Sequence, residues 1–215
     1  MKTIPQATIP AVPPDWDPSA PWESWPWANV AMLPPLRLAD GSGLARQQTA
    51  VRICYDATAL YVNFDCNDRD IWGTFTQRDD PIYDEEVVEV FLAAGDKTPT
   101  EYAEIELSPN GVLFDAWVQN PTGDRAQMVV DTAWDWPGIR WHAQRVDAEK
   151  RWWAVLVLPW AGIGPVDPLP TVWQANFYRI ERPRQEAPEF SCWSSTLTDP
   201  ADFHRPGRFG TLRIE

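Results

Sequence analysis

The sequence predicts an all-β fold: an antiparallel β-sandwich of two sheets, immunoglobulin- or jelly-roll-like, preceded by a segment rich in proline and tryptophan. Three observations predict it. Short β-rich runs follow one another from Thr49 onward, turn signals separate these runs, and no amphipathic stretch exceeds about two or three helical turns. Such a cadence is typical of sandwiches and barrels.

The N-terminal segment, residues 1–35, holds a large share of the 22 prolines and has almost no hydrophobic periodicity. We interpret it as an extended strap packed on the sandwich, with Trp25 and Trp27 as candidate anchors. We expect residues 1–215 to form a single domain, because this length suits one core of a large all-β domain.

Nine strands are predicted after the strap. They span Thr49–Tyr55, Leu60–Cys66, Val87–Ala93, Tyr102–Ser108, Val112–Val118, Ile139–Arg145, Trp152–Leu158, Trp173–Glu181 and Phe209–Ile214. The pair Asn110-Gly111 predicts a two-residue type I′ hairpin, because both residue types accept a positive φ. Hairpin corners are also expected at Asp56-Ala57 and at Asp147-Ala148.

Alternation assigns the faces of these strands. In the run YAEIELS, Glu104 and Glu106 share one face, while Ile105 and Leu107 share the other, apolar face. Glu89 is the outward member of its own strand. If the two strands are neighbours, carboxylates line one face of a sheet, and such a surface suits a polyol or a cation.

The charge balance limits the partners. The chain has 18 Lys and Arg against 31 Asp and Glu, a formal net charge of -13. Nucleic acid and anionic membrane surfaces need a basic footprint, so we expect neither as a partner. We also expect no membrane insertion, and the start of the chain has no apolar signal region, which favours a cytoplasmic over an extracellular location.

The three cysteines cannot all pair, and Cys54, Cys66 and Cys192 do not follow a metal-ligand spacing. We expect small buried residues, as free cysteines usually are. A single bridge between Cys54 and Cys66, which flank a predicted turn, stays open.

The acidic segment from Asp65 to Glu89 is a solvated loop or a calcium site by its composition, although it contains no EF-hand pattern. A glycosidase would need two carboxylates flanking the scissile bond, for which Glu104 with Glu106 or Glu89 could be offered. No serine stands in a nucleophile elbow with which His142 or His204 could act. Haem ligation between methionine and histidine has no supporting spacing.

Five runs occur in a characteristic order: TAVRICYDATALYVNFDCNDRDI, DDPIYDEEVVEVFL, YAEIELSPNGVLFDA, WQANFYRIER and FHRPGRFGTLRIE. Together they resemble the family-9 carbohydrate-binding modules and their standalone relatives over residues 49–215. The resemblance implies an antiparallel β-sandwich, in agreement with the predicted strands. It also implies non-catalytic binding of a carbohydrate, a sugar end or short saccharide, with no cofactor required.

In the sugar-binding members of that family, two aromatic side chains clamp the terminal sugar. By position, the resemblance implies Tyr83 and Phe203 as this clamp, where the family uses tryptophan. The family's hydroxyl-fixing arginine falls near Glu104 or Glu106 here, a change of charge. The other side chains expected to reach the pocket are Trp72, Arg78, Asn176, Arg179 and Arg205. A structural calcium ion is implied near Asp65, Asp68 and Glu89.

Other interpretations stay open for the same residues. Tyr83 could plug the end of the sandwich, Phe203 could be a core residue, and Trp72 could pack on a sheet edge. For the whole chain the alternatives are a glycoside hydrolase that uses the acidic face and a non-sugar interaction module on the same fold.

Overall fold

Two β-sheets packed face to face make up the computed structural model, which describes residues 3–164 and 168–215. The strands are β1 (Gln6–Ile9), β2 (Arg37–Leu38), β3 (Thr49–Tyr55), β4 (Ala59–Asn67), β5 (Val87–Ala94), β6 (Glu101–Leu107), β7 (Leu113–Gln119), β8 (Val129–Asp131), β9 (Arg140–Val146), β10 (Arg151–Pro159), β11 (Val172–Glu181), β12 (Glu189–Cys192) and β13 (Gly210–Ile214). All nine predicted strands form, with ends within one residue of the prediction. The predicted all-β sandwich is confirmed.

The larger sheet has the strand order β1-β13-β11-β5-β6-β7-β8, and β12 extends it by pairing with both β11 and β2. Its pairs are antiparallel except β1 with β13, which run parallel. The smaller sheet, β3-β4-β10-β9, is antiparallel throughout. The short strands β1, β2, β8 and β12 were not predicted, because runs of two to four residues carry no readable period.

The core lies between the sheets. Alternate residues of the larger sheet, such as Val90 and Ile105, meet alternate residues of the smaller sheet, such as Leu156. Phe177 and Phe64 approach each other from opposite sheets, with ring centroids 6.3 Å apart. The second face of the larger sheet carries a separate buried cluster, in which Phe91, Tyr102 and Tyr178 pack beneath the loops that cover it.

The N-terminal segment covers the outer face of the smaller sheet. Its Trp25 is 5% exposed and packs against Trp16, with ring centroids 4.8 Å apart, and against Tyr61 of β4 at 5.7 Å. Trp27 is partly buried in the same cluster. The segment also contains β1 and two short 3-10 turns, and its residues 1 and 2 lie outside the described part of the chain.

The turn between β6 and β7 differs from the predicted type I′ hairpin. The amide of Gly111 donates to the carbonyl of Ser108 at 3.0 Å, which makes Pro109 and Asn110 the central residues. Gly111 has φ 81°, whereas Asn110 is not among the described non-glycine residues with positive φ. Proline fixes φ near −65°, so Pro109 excludes a type I′ turn, and the positive φ falls on the glycine that follows.

All three cysteines are free and buried. Cys54 belongs to the cluster under the N-terminal segment, whereas Cys66 belongs to the core between the sheets. The two side chains thus lie on opposite faces of the smaller sheet, which excludes the bridge left open by the sequence. In the described residues, no helix combines the length and the apolar character needed to cross a membrane.

Candidate functional site

A pocket of about 430 Å³ opens on the second face of the larger sheet, away from the core. Its floor carries Glu89 from β5 and Glu104 and Glu106 from β6, and its walls include Tyr83 and Phe203. Loops before β5, after β7 and before β13 fold over this face. These loops form the walls of the pocket above the sheet.

The register between β5 and β6 brings the three glutamates together. Glu89 is the antiparallel partner of Glu106, and Glu104 lies two residues farther along β6 on the same face. One carboxylate oxygen of each lies within 4.8 Å of one oxygen of each other member. The predicted carboxylate-lined face therefore exists, but all three side chains are buried, at 1–5% exposure, rather than solvated.

Burial dominates the electrostatics of this floor. It raises the pKa of Glu104 to about 8, against the opposing influences of a hydrogen bond with Glu106 and of Arg125. Burial, with repulsion from neighbouring carboxylates, also raises the pKa of Glu89 and of Glu106 well above the ordinary value. The floor thus holds protons at neutral pH and can both donate and accept hydrogen bonds.

His204 stands beside the glutamates without neutralising them. Burial, followed by the positive charge of Arg125, lowers the pKa of His204 to about 4. Its Nδ1 lies 2.8 Å from the Tyr102 hydroxyl, and its Nε2 lies 3.7 Å from Oε1 of Glu104. The imidazole is therefore neutral at pH 7 and is a polar wall of the pocket.

Two aromatic rings face the pocket in different ways. Tyr83, in the 3-10 turn Ile82–Asp84, is 40% exposed and meets Phe114 edge-on at 5.6 Å. Phe203 is 7% exposed and stacks on Tyr178, with centroids 4.2 Å apart. Tyr83 thus offers an open ring to a ligand, whereas Phe203 lines the pocket as a member of the buried apolar cluster that contains Tyr178.

A family model described as carbohydrate-binding family 9 matches residues 44–214, which is most of the chain. The chain belongs to carbohydrate-binding family 9. An Arthroderma benhamiae relative named "Extracellular protein" is 27% identical over 168 residues, 73% of this chain and 74% of the relative.

Solved structures have the same fold as this family-9 chain. One, from Bacteroides uniformis and provisionally described as a carbohydrate-binding protein, has a TM-score of 0.75 at 17% identity, covering 98% of this chain and 99% of its own. A family-9 module from Caldicellulosiruptor kristjanssonii, solved in complex with cellotriose, has a TM-score of 0.63 at 13% identity, covering 98% and 93%. A glucose complex of such a module from the same organism has a TM-score of 0.63 at 14% identity, covering 98% and 95%.

Of the residues expected to bind a ligand in this family-9 chain, the structure brings four to the pocket: Tyr83, Phe203, Glu104 and Glu106. Trp72 and Arg78 have other partners. The Trp72 Nε1 donates to the backbone carbonyl of Arg182 at 2.5 Å, and Arg78 forms an ion pair with the buried Asp115 at 2.7 Å. Both side chains hold loops in place outside the pocket.

Asn176, Arg179 and Arg205 also lie outside the pocket. The Asn176 amide is buried and donates to the carbonyl of Ser194 at 2.8 Å. Arg179 shares its face of β11 with Phe177 and so points between the sheets, away from the pocket. Arg205 lines a neighbouring cleft and pairs with Asp202 at 3.0 Å.

Sequence reasoning missed the basic residues at the pocket. Arg125 and Arg182 line it, and His204 was considered only for a nucleophile that the chain lacks. Arg125 begins the single 3-10 turn Arg125–Gln127, which is too short to carry a period from which the direction of its side chain could be inferred. Alternation along β11 does not extend to Arg182, one residue past its end.

The acidic residues implied for calcium do not form one cluster. Asp65 pairs with Arg151 at 3.1 Å, and Glu89 belongs to the pocket floor. Asp68 instead lies with Glu86 and Glu181, and one carboxyl oxygen of each of the three lies within 4.8 Å of the others.

The Asp68 cluster is a poor fit for calcium. Oδ2 of Asp68 accepts hydrogen bonds from Arg179 at 2.9 Å and from the Trp152 indole at 3.1 Å. Calcium takes six to eight oxygen ligands, and a guanidinium already occupies this carboxylate. Oε2 of Glu86 has no hydrogen-bond partner among the described residues. Burial raises the pKa of Glu86 to about 9, so this carboxyl is protonated at neutral pH and does not need a cation.

Proposed function

We propose that this protein binds a sugar end or a short saccharide without modifying it, in the pocket walled by Tyr83 and Phe203. The observation that carries the proposal is the meeting of these two rings, distant in sequence, at one polar-floored pocket of a family-9 chain.

The chemistry of the pocket supports a saccharide. An aromatic ring suits the apolar face of a sugar, and buried carboxyls that hold protons can both donate to and accept from hydroxyl groups. The volume of about 430 Å³ falls in the range of small-molecule sites. Cellotriose and glucose, present in the C. kristjanssonii complexes, are the first ligands to test.

The arrangement of the carboxyls favours binding over hydrolysis. A glycosidase places two carboxyl groups on either side of the scissile bond. Here Glu89, Glu104 and Glu106 lie side by side on one floor, on two neighbouring strands. This arrangement suits contact with one edge of a sugar better than placement of two carboxyls on either side of a glycosidic bond.

Calorimetry with cellotriose and glucose tests the binding proposal. We expect Tyr83→Ala to weaken binding by roughly five- to tenfold, because a stacked ring contributes on the order of 1 kcal/mol. Tyr55→Ala, at a tyrosine of the smaller sheet outside the pocket, is the matched control and should leave affinity unchanged. Phe203→Ala is a less clean probe, since it also removes the stack on Tyr178. Equal affinities for Tyr83→Ala and the unmodified protein would refute the clamp.

Chromogenic glycosides test the absence of catalysis. We expect no turnover by purified protein. Turnover that disappears in Glu104→Gln would show that the protein is a hydrolase and not a binding module.

A further inference from the structure

One carboxyl oxygen of the pocket floor has no partner. Oε2 of Glu106 has no hydrogen-bond partner among the described residues, although the side chain is 1% exposed and lines the pocket. Burial and the neighbouring carboxyls raise the pKa of Glu106, so the floor holds protons before a ligand binds, and the Glu104 and Glu106 side chains share a hydrogen bond. An unpartnered buried oxygen that lines the pocket is available to a donor on an entering ligand.

The basic side chains around the pocket form almost no ion pairs with the glutamates of the floor. Among the described residues, the ion pairs of these three glutamates amount to one contact, from Nε2 of His204 to Glu104 at 3.7 Å, and that imidazole is neutral at pH 7. Arg125 pairs instead with Asp202, and its side chain is 61% exposed. The floor therefore offers three carboxyls to whatever enters the pocket.

We propose that the sugar selected by this pocket carries a protonated primary amine, as a 2-amino-2-deoxy hexose does, and that its ammonium group contacts Glu89, Glu104 and Glu106. This inference rests on the proposed function and names the class of sugar that the pocket binds. It requires one non-covalent contact and no chemical step.

The geometry of the floor matches an ammonium group. Such a group has three N–H donors, and acceptors placed tetrahedrally at about 2.8 Å from its nitrogen lie about 4.6 Å from one another. The three carboxyl oxygens lie within 4.8 Å of one another, a limit that this separation satisfies. A neutral hydroxyl at the same position carries no charge, so it gains no charge-assisted hydrogen bond from a carboxyl that ionises beside it.

Seating an ammonium group should expel protons from the floor. The raised pKa values of the glutamates mean that they hold protons before binding, and a cation among them favours the ionised form. The other titratable groups at the pocket are Tyr83, Asp84, Arg125, Arg182 and His204. Tyr102 and Asp202 lie behind His204.

Calorimetry at about pH 6, with glucosamine, N-acetylglucosamine and glucose, tests the inference. We expect glucosamine to bind at least about tenfold more tightly than the two neutral sugars, the difference that one charge-assisted hydrogen bond supplies. Repeating the titration in buffers of different ionisation enthalpy should reveal proton release with glucosamine alone.

Two isosteric variants on β6 localise the effect. Glu106→Gln should reduce the preference for glucosamine to within about threefold and diminish the proton release, because the orphaned acceptor becomes a neutral amide. Glu101→Gln, at the exposed start of the same strand, makes the same charge change outside the pocket and should preserve both. Tyr83→Ala should weaken the binding of every sugar by the same factor. The ratio of the affinities for glucosamine and for the neutral sugars should therefore stay unchanged.

The outcomes separate the two proposals. If glucose or cellotriose binds as tightly as glucosamine and Tyr83→Ala weakens both, the amine preference is refuted and the proposed function stands. Absence of binding by every one of these sugars overturns both. A third outcome is that calcium chloride alone gives a binding signal, that Glu106→Gln abolishes this signal, and that the protein shows no preference for the amine. This result would identify a metal site and refute the inference. The comparison of glucosamine with N-acetylglucosamine uses the unmodified protein, so it holds even if a variant fails to fold.

Discussion

At the scale of single residues, the position of each glutamate in the pocket floor is set by its own strand, whereas its burial is set by other parts of the chain. Alternation along β6 places Glu104 and Glu106 on one face whatever covers it. Burial of that face comes from loops that are distant in the chain, including the one that carries His204. Because burial sets the protonation of these side chains, their chemistry depends on the covering loops.

This burial predicts how stability varies with pH. Glu89, Glu104 and Glu106 keep their protons in the folded state, whereas in the unfolded chain they lose them above about pH 4.5. The folded state then binds more protons, so the free energy of unfolding falls as pH rises towards the folded pKa, about 8 for Glu104. We expect a higher Tm at about pH 6 than at about pH 8.5, measured by calorimetry.

Substitution of one glutamate of the floor tests whether these side chains cause the pH dependence of stability. Glu104→Gln should reduce the slope between those pH values without abolishing it, since each such group contributes on the order of 1.4 kcal/mol per pH unit and Glu89 and Glu106 still keep their protons. Glu101→Gln should keep the slope of the unmodified protein. His204, whose pKa is lowered to about 4, acts oppositely, and its effect appears only below about pH 6.5. A Tm that rises between pH 6 and 8.5 would contradict the protonated floor.

At the scale of elements, Arg179 ties the two sheets together. From β11 its guanidinium donates to the carbonyl of Asn67 at 2.6 Å and to Asp68 at 2.9 Å, both at the end of β4. The side chain is 1% exposed and also approaches the ring of Trp152, at 5.9 Å from its centroid. It supplies positive charge at the carboxylate where the family resemblance implies calcium.

We therefore expect Arg179→Met to lower the free energy of unfolding by about 3–5 kcal/mol, because it leaves the buried Asp68 carboxylate without its partner. Urea unfolding measures the loss. Arg184→Met, which breaks the exposed pair with Asp70, is the matched control and should change stability little.

The same network predicts the response to metal. With Arg179 in place, EDTA and calcium chloride should each leave the Tm unchanged. A Tm raised by calcium would mean that the ion is part of the fold, and would contradict neutralisation by Arg179.

At the scale of the whole molecule, the N-terminal segment is the third layer of the structure. It covers the outer face of the smaller sheet, where Tyr61, Val155 and Val157 are buried beneath its tryptophans. The tryptophans of this segment, Trp16, Trp22, Trp25 and Trp27, thus serve packing over the smaller sheet.

Trp25→Ala should lower the free energy of unfolding by about 3–5 kcal/mol, because it opens a cavity over β4 and removes the contacts with Trp16 and Tyr61. Met32→Ala, in the same segment but 59% exposed, should have little effect. Chemical denaturation of the two variants makes the comparison. Equal stability of Trp25→Ala and the unmodified protein would mean that the segment is not part of the cooperative fold.

The prediction of the site from sequence was partial for identifiable reasons. The family resemblance pointed to Tyr83 and Phe203, which the structure brings to one pocket. Alternation along β11, applied strictly, would have placed Arg179 between the sheets with Phe177. Arg125 carried no such signal, because its three-residue 3-10 turn is too short to show a period from which to infer direction.

The sequence by itself determined the nine main strands, the faces of Glu89, Glu104 and Glu106, and the resemblance to family 9, because these depend on a two-residue period and on local motifs. The position of the β6–β7 turn also depends on a local residue, Pro109, whose fixed φ shifts it. Tertiary structure alone decided that Arg179 neutralises Asp68 and that three glutamates share a buried floor. Burial and pairing arise between segments far apart in the chain, so no local pattern encodes them.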